Sequence, residues 1–125
     1  MASEKISRVG VIGAGQMGAG IAEVCARANT DVLVYESTRE LAAAGRARIL
    51  RSLDRGVSSG KLTEREREQA TWRLRFTDDL GDFADRQLVV EAVVEDEEVK
   101  TNIFRELDKV VTDPNAVLAS NTSSI

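Results

Sequence analysis

Histidine is absent from this chain of 125 residues, so the side chain that most often transfers protons near neutral pH is missing. A reaction that needs an imidazole must obtain it from residues outside this sequence. Cysteine occurs once, at Cys25, which excludes an intramolecular disulfide and fits a reducing compartment such as the cytoplasm. With no histidine or second thiol to activate it, Cys25 is expected to be a buried structural residue and not a nucleophile.

Long apolar runs and a surplus of basic residues are lacking as well. No run approaches the roughly 18 apolar residues that a membrane-spanning helix needs, and the first residues do not have the pattern of a secretion signal. The formal net charge of −4 argues against the dense positive field that binds nucleic acid. We therefore expect a soluble cytoplasmic protein that binds neither nucleic acid nor a membrane, and no cluster of metal ligands is evident.

Apolar runs rich in β-branched residues alternate with helical patterns along the whole chain, which is typical of βαβ units. The expected strands cover residues 8–12, 31–36, 74–76, 88–94 and 117–119. We therefore predict one domain over residues 1–125, an α/β, Rossmann-type, doubly wound parallel sheet with flanking helices. Such sheets usually continue after a fifth strand, so we also expect this sequence to be the N-terminal part of a longer protein.

Helical spacing predicts which side chains face the core and where helices begin. The residues expected to face the sheet from the first helix are Met17, Ile21, Val24, Cys25 and Ala28. Ser37 with Glu40 fits a capping box at the start of the second helix. Thr63 with Glu66 repeats this pattern before the third. The aromatic residues expected to pack in the core are Trp72, Phe76, Phe83 and Phe104.

A glycine-rich segment follows the first expected strand directly and opens the first helix. Its residues, in a G-x-G-x-x-G pattern, are Gly13, Ala14, Gly15, Gln16, Met17 and Gly18. The first glycine permits a tight turn, the second lets a pyrophosphate approach the backbone, and the third allows close packing of helix and strand. The free amides and the positive end of the helix dipole attract the pyrophosphate. This context predicts a dinucleotide site, with a structural turn that binds no ligand as the alternative.

Glu36 ends the second expected strand about twenty residues beyond the loop. A carboxylate there accepts hydrogen bonds from the adenosine ribose diol and repels a 2′-phosphate, so NAD is the predicted cofactor. Arg39 keeps NADP open as the alternative, because an arginine near this position can accommodate the 2′-phosphate. A second alternative is that Glu36 only stabilises the N-terminus of the next helix.

Two further segments carry a family resemblance: residues 90–95, with the sequence VEAVVE, and residues 119–124, with the sequence ASNTSS. Together with residues 13–22, they make essentially the whole chain resemble the N-terminal NAD-binding domain of the 3-hydroxyacyl-CoA dehydrogenases. The glycine-rich pattern alone is shared with 6-phosphogluconate and 3-hydroxyisobutyrate dehydrogenases. Residues 119–124 are the most specific part of the resemblance.

The resemblance implies reversible hydride transfer between NAD and the C3 hydroxyl of a 3-hydroxyacyl-CoA, as in fatty acid β-oxidation and butanoate metabolism. The short-chain 3-hydroxybutyryl-CoA type is expected, because no hydratase domain precedes the first strand. The resemblance also implies that the full-length protein binds an acyl-CoA substrate and forms a homodimer through a helical C-terminal domain that this sequence lacks.

Several site residues are carried over from the resemblance. Glu95 and Lys100 are expected to border the nicotinamide, and Ser123 to hydrogen-bond the reacting oxygen as catalytic residue. A fixed serine hydroxyl can donate to a carbonyl oxygen as negative charge develops on it. Asn121, in the same segment, is expected to contact substrate with Ser123. From the residues alone, a turn or cap serine and a solvated Glu95 and Lys100 are the alternatives.

The resemblance also implies CoA contacts at Ser52 and Lys61. The general base of the family is a histidine beyond the next strand, so the chain of 125 residues is expected to be inactive by itself. Two other functions stay open: a non-catalytic dinucleotide-binding protein, and a dehydrogenase of the wider 3-hydroxyacid group.

Overall fold

The computed structural model describes residues 5–92 and 96–120. The strands in these ranges are Arg8–Ile12 (β1), Asp31–Tyr35 (β2), Leu74–Thr77 (β3), Leu88–Glu91 (β4) and Val117–Ser120 (β5). The α-helices there are Gln16–Arg27 (α1), Arg39–Ser58 (α2), Glu64–Arg73 (α3) and Glu97–Val110 (α4), and a 3-10 helix covers Leu80–Phe83. None of the described helices has the length and apolar character needed to cross a membrane.

The five strands form one parallel sheet with the order β3-β2-β1-β4-β5. Because β1 lies in the middle, the chain moves outward in one direction through β2 and β3 and then returns to the other side of β1 with β4. This reversal opens a crevice beyond the carboxyl ends of β1 and β4, where open α/β sheets bind ligands. The predicted Rossmann-type fold is confirmed. Residues 93 and 94 of the expected fourth strand lie outside the described residues.

Alternation along the strands divides the core into two layers, as the period of two requires. Val32 and Val34 of β2 pack on the face that α1, α2 and α3 cover, and Leu33 between them packs on the opposite face. That second face is covered by α4 and by the 3-10 helix through Leu107 and Phe83. Helices therefore cover both sides of the sheet, which explains the nearly continuous apolar character of its inner strands.

The face of α1 that packs on the sheet differs from the expected one. Met17 and Val24 are 53% and 67% exposed and Ala28 is exposed, whereas Ile21 and Cys25 are half-buried. The residues that α1 buries are Gly18, Ala19, Ala22 and Ala26. Close contact with the sheet and with α2 leaves room only for small side chains on this face. The helical period was predicted correctly, but the predicted buried face was wrong, because it was placed on the larger apolar residues and the helix buries the small ones.

Trp72 is 85% exposed, so the expectation of a core role for this residue is wrong. It lies on α3, which buries only Ala70, and its ring faces outward from that helix. Phe83 is fully buried, and Phe76 and Phe104 are half-buried against the two core layers. Aromatic character alone did not indicate which side of a short charged helix faces the protein.

Of the two capping boxes predicted at helix N-termini, one is wrong and one is confirmed. The N-cap of α2 is Thr38, whose Oγ1 accepts from the Leu41 amide at 3.1 Å, so the predicted box of Ser37 with Glu40 is wrong by one residue. At α3 both halves of the Thr63 and Glu66 box form, with distances of 2.9 and 3.0 Å, and this prediction is confirmed. Either hydroxyl before α2 could cap a helix, and the path of the chain after β2 decides between them.

A buried arginine holds the amino edge of the sheet. Arg86 is 1% exposed, and its guanidinium contacts Asp31 Oδ1 at 2.7 Å and Asp85 Oδ1 at 2.9 Å. Burial opposes ionisation of Asp31, but hydrogen bonds from Arg86 and Arg75 outweigh it and hold the pKa of Asp31 below its ordinary value. The hydrogen bond from Arg86 likewise lowers the pKa of Asp85. Two acids thus neutralise one buried cation and join β2 to the start of β4.

Replacing Asp31 with asparagine is expected to weaken the acid sensitivity of folding. A carboxyl with a lowered folded pKa stabilises the fold above its unfolded pKa of about 3.9, and this stabilisation disappears as the pH falls through the folded value. At pH 7, Asp31→Asn should therefore lower the free energy of unfolding by about 1 kcal/mol or less, since the Asp31 side chain is 44% exposed. At low pH, the free energies of unfolding of the variant and the wild type should converge.

Urea unfolding between pH 7 and about pH 2 measures this difference. Asp108→Asn, at an exposed carboxylate of α4, is the matched control. If the free energies of unfolding of the wild type and of Asp31→Asn differ by the same amount at every pH, the assigned role of Asp31 in the Arg86 network is wrong.

Candidate functional site

The glycine-rich loop turns from β1 into α1 with two glycines that the protein itself requires. Gly13 has φ of 96°, in the left-handed region, and its amide donates to the Tyr35 carbonyl at 2.9 Å. At Gly18, a Cβ would lie 1.8 Å from the Gly13 carbonyl oxygen, so any side chain would push α1 away from the loop. These contacts bring the N-terminus of α1 to the carboxyl end of β1.

Gly15 differs from Gly13 and Gly18, because nothing in the described protein fills the space that a side chain at this position would occupy. A Cβ there would meet no atom within 4 Å, and φ of −68° is open to any L-residue. The described protein itself therefore does not require glycine at this position, and the space beside it is open at the N-terminus of α1. This space fits a group that approaches the backbone closely, as the pyrophosphate of a dinucleotide does.

The N-terminus of α1 has no side-chain cap and no acidic residue in its first turn among the described residues. By contrast, α2, α3 and α4 are capped by the side chains of Thr38, Thr63 and Asp96. Gln16 and Met17 begin α1 and are exposed. Their amides, together with the positive end of the helix dipole, form an environment that suits an anion.

Glu36 lies directly after β2 and reaches back to the glycine-rich loop. Its Oε2 accepts from the Ala14 amide at 2.5 Å, while its own amide donates to the Thr77 carbonyl at 3.0 Å. The carboxylate is therefore directed toward the loop and away from the amides of α2. Arg39, the alternative partner for a phosphorylated ribose, is the first residue of α2 and is exposed.

At the carboxyl ends of β4 and β5, charged and polar side chains come together, and two of them, Glu91 and Lys100, are buried. Lys100 is 8% exposed, which excludes the alternative of a solvated surface lysine. Its Nζ lies 3.6 Å from Oε1 of the fully buried Glu91, and the Ser120 hydroxyl donates to the same oxygen at 2.6 Å. Helix α4 thus holds an ammonium group beside the crevice edge of the sheet.

Sequence reasoning missed Glu91 and Ser120 as members of this group. The signal was a single acid within the otherwise apolar run of residues 88–94, since a charge in a strand covered on both faces needs a partner. The partner could have been sought one helix turn into α4, at Lys100. Residues 93–95 and 121–125 are outside the described part of the chain, so Glu95, Asn121 and Ser123 stay predictions.

The two residues expected to contact CoA lie in separate depressions. Ser52 lines a groove of 390 Å³ between α1 and α2, together with Arg48, Arg51 and Arg55. Lys61 follows α2 and lines a different depression beside the end of α1 and the helix α3. The structure does not bring Ser52 and Lys61 together, and the groove that Ser52 lines holds three arginines and one acid, Glu23.

Comparison with known proteins assigns this arrangement to a family. A model of the 3-hydroxyacyl-CoA dehydrogenase NAD-binding domain matches residues 8–125. A 3-hydroxybutyryl-CoA dehydrogenase of Mycobacterium tuberculosis is 67% identical over 98% of this chain and 43% of its own length. A peroxisomal fatty acid beta-oxidation multifunctional protein of Oryza sativa is 39% identical over 97% of this chain and 16% of its own.

A solved structure agrees with these sequence relations. The crystal structure of M. tuberculosis FadB2 has a TM-score of 0.95 and 66% identity, with 98% of this chain and 43% of that chain covered. The chain thus spans less than half the length of these two M. tuberculosis proteins. The family model is that of an NAD-binding domain, which confirms the predicted cofactor. The chain belongs to the 3-hydroxyacyl-CoA dehydrogenase family and is similar to its NAD-binding domain over residues 8–125.

Proposed function

We propose that residues 1–125 form the N-terminal NAD-binding part of an oxidoreductase that interconverts 3-hydroxyacyl-CoA and 3-ketoacyl-CoA, with 3-hydroxybutyryl-CoA as substrate. The open space at Gly15, beside the uncapped N-terminus of α1, is the observation that carries the proposal. Its location at the switch between β1 and β4 is where this fold binds dinucleotides. Family membership supports the type of reaction, a reversible hydride transfer.

The loop and Glu36 divide the binding of NAD between them. The pyrophosphate meets the first amides of α1 next to Gly15, within the segment of residues 13–18. Glu36 accepts from the ribose hydroxyls of the adenosine. A carboxylate has two oxygens and about four acceptor positions, so Oε2 can hold Ala14 while Oε1 binds the ribose. The negative charge of Glu36 disfavours the 2′-phosphate of NADP.

The carboxyl ends of β4 and β5 are the proposed reaction edge, where bound nicotinamide supplies the hydride acceptor. Glu95 and Lys100 border the nicotinamide, and Ser123 donates a hydrogen bond to the reacting oxygen, with Asn121 beside it. The contact with Glu91 fixes the Lys100 ammonium at this edge, which supports its role. Oxidation also releases a hydroxyl proton, and no histidine among these 125 residues can accept it. The chain alone is therefore proposed to bind NAD without turning over substrate.

The phosphates of CoA are proposed to bind near Ser52, because the arginines around it form a cationic groove that suits phosphate oxygens. Lys61 lies apart from that groove and is proposed as a contact for another part of CoA. We further propose that the full-length protein is a cytoplasmic homodimer in fatty acid β-oxidation or butanoate metabolism. The name of the rice relative supports the first of these settings.

Gly15→Ala is expected to abolish NAD binding while the protein stays folded. The added methyl group has room in the unliganded protein, and alanine at an N-cap costs no more than about 1 kcal/mol. The same methyl group occupies the space of the pyrophosphate, so the Kd for NAD should rise at least about a hundredfold, roughly 2.7 kcal/mol. Calorimetric titration and thermal unfolding measure the two effects. Gly20→Ala, which also adds a methyl group in open space on α1, should leave the affinity unchanged.

Glu36→Gln is expected to narrow the preference for NAD over NADP by about tenfold. The amide oxygen can still accept from Ala14, but the charge that strengthens the ribose hydrogen bonds and repels a 2′-phosphate is gone, a difference of roughly 1.4 kcal/mol. Parallel titrations with both nucleotides measure the ratio, and Glu40→Gln in the exposed first turn of α2 is the control. An unchanged ratio would show that Glu36 does not recognise the ribose.

The full-length protein is expected to reduce NAD with 3-hydroxybutyryl-CoA and not with free 3-hydroxybutyrate. Formation of NADH measures the rate, and the 125-residue chain in the same assay should give none, because it lacks a general base. Turnover of the free acid alone would indicate a dehydrogenase of the wider 3-hydroxyacid group. Binding of NAD without turnover of either compound would indicate a non-catalytic dinucleotide-binding protein.

A further inference from the structure

Helix α2 touches the glycine-rich loop at Ala14. A Cβ at Gly45 would lie 2.3 Å from the Ala14 Cβ and 3.1 Å from its carbonyl oxygen, so the helix backbone itself packs on this residue. One turn later along α2, Arg48 Nη1 donates to the Ala14 carbonyl at 3.1 Å. The absent side chain of Gly45 brings α2 close enough for Arg48 to reach the loop.

Ala14 is therefore held from three directions by elements outside the loop. Its amide donates to Glu36 after β2, its carbonyl accepts from Arg48, and its methyl group is 1% exposed against Gly45. The peptide between Ala14 and Gly15 is planar, so fixing the carbonyl also fixes the direction of the Gly15 amide. Through the Ala14 carbonyl, Arg48 thus orients the amide of Gly15, the residue with open space at its Cβ position.

We propose that Arg48 is a positioning residue of the dinucleotide site, which acts through the Ala14 carbonyl to keep the peptide of Gly15 in the orientation that binds NAD. This inference rests on the proposed function. Pre-ordering the loop lowers the entropy that binding would otherwise cost, so the effect is on affinity more than on stability. Arg48 is itself exposed, and its replacement opens no cavity in the core.

Arg48→Met in the full-length protein is the test, because methionine keeps most of the length of the side chain and removes the donor. The Kd for NAD should rise about tenfold, since a hydrogen bond from a charged donor contributes on the order of 1.5 kcal/mol. Nitrogen-15 relaxation should show the Ala14 and Gly15 amides becoming mobile without NAD, with order parameters falling from about 0.85 toward 0.6. Saturation with NAD should restore them.

Three variants serve as references. Arg51→Met and Arg55→Met remove other arginines of the same groove and should change neither the NAD affinity nor the loop amides. Arg48→Lys keeps a charged donor on a long side chain and should recover part of the lost affinity.

The possible outcomes separate the positioning role from its alternatives. A lower thermal midpoint with unchanged NAD affinity would mean that Arg48 is only structural. Lost affinity with rigid loop amides would mean that Arg48 touches the nucleotide directly, and the positioning role would be wrong. If the wild type itself fails to bind NAD, the proposed function and this inference fall together. If the wild type binds and Arg48→Met binds equally well, only this inference is overturned.

Discussion

The contact between Gly18 and the carbonyl of Gly13 is the constraint on which the site depends. A side chain at residue 18 would overlap that oxygen, so only glycine lets α1 start immediately at the end of β1. This short connection aims the axis of α1, and hence the positive end of its dipole, at the crevice between β1 and β4. The small residues along the rest of α1 extend the same close approach over the sheet. The close packing of α1 on the sheet and the orientation of its dipole both depend on the absence of a side chain at Gly18.

Buried charges occur at both edges of the sheet but have different consequences. At the amino edge, Arg86 is neutralised by Asp31, the first residue of β2, and by Asp85, shortly before β4. At the carboxyl edge, Glu91 and Lys100 pair beside Ser120, where the strands deliver the residues of the proposed reaction site. The first arrangement fixes strand positions, whereas the second fixes an ammonium group at the edge where ligands bind.

Sequence reasoning succeeded where a feature depends on neighbouring residues. The bounds of β1 and the capping box of Thr63 with Glu66 depend on local pattern, and both were predicted correctly. The buried face of α1 and the exposed position of Trp72 depend on how closely helices approach the sheet, which the period alone does not contain. The pair of Glu91 and Lys100, and the bond from Arg48 to Ala14, join residues that only the folded chain brings together. The roles of Glu95, Asn121 and Ser123 stay predictions.

The central position of β1 also bears on how the protein is made. The ribosome makes β1 before the other four strands of the sheet, so one edge of β1 can pair with β2 while the other edge must wait for β4. The pairing of β1 with β4 begins next to Gln87, whose side-chain oxygen accepts from the Arg8 amide and which follows Arg8 by 79 residues in the chain. At about 5 to 20 residues per second, the ribosome takes on the order of 4 to 16 seconds to supply it. During that interval an apolar strand presents unpaired backbone groups, and an unpaired strand edge of this kind is a site where aggregation begins.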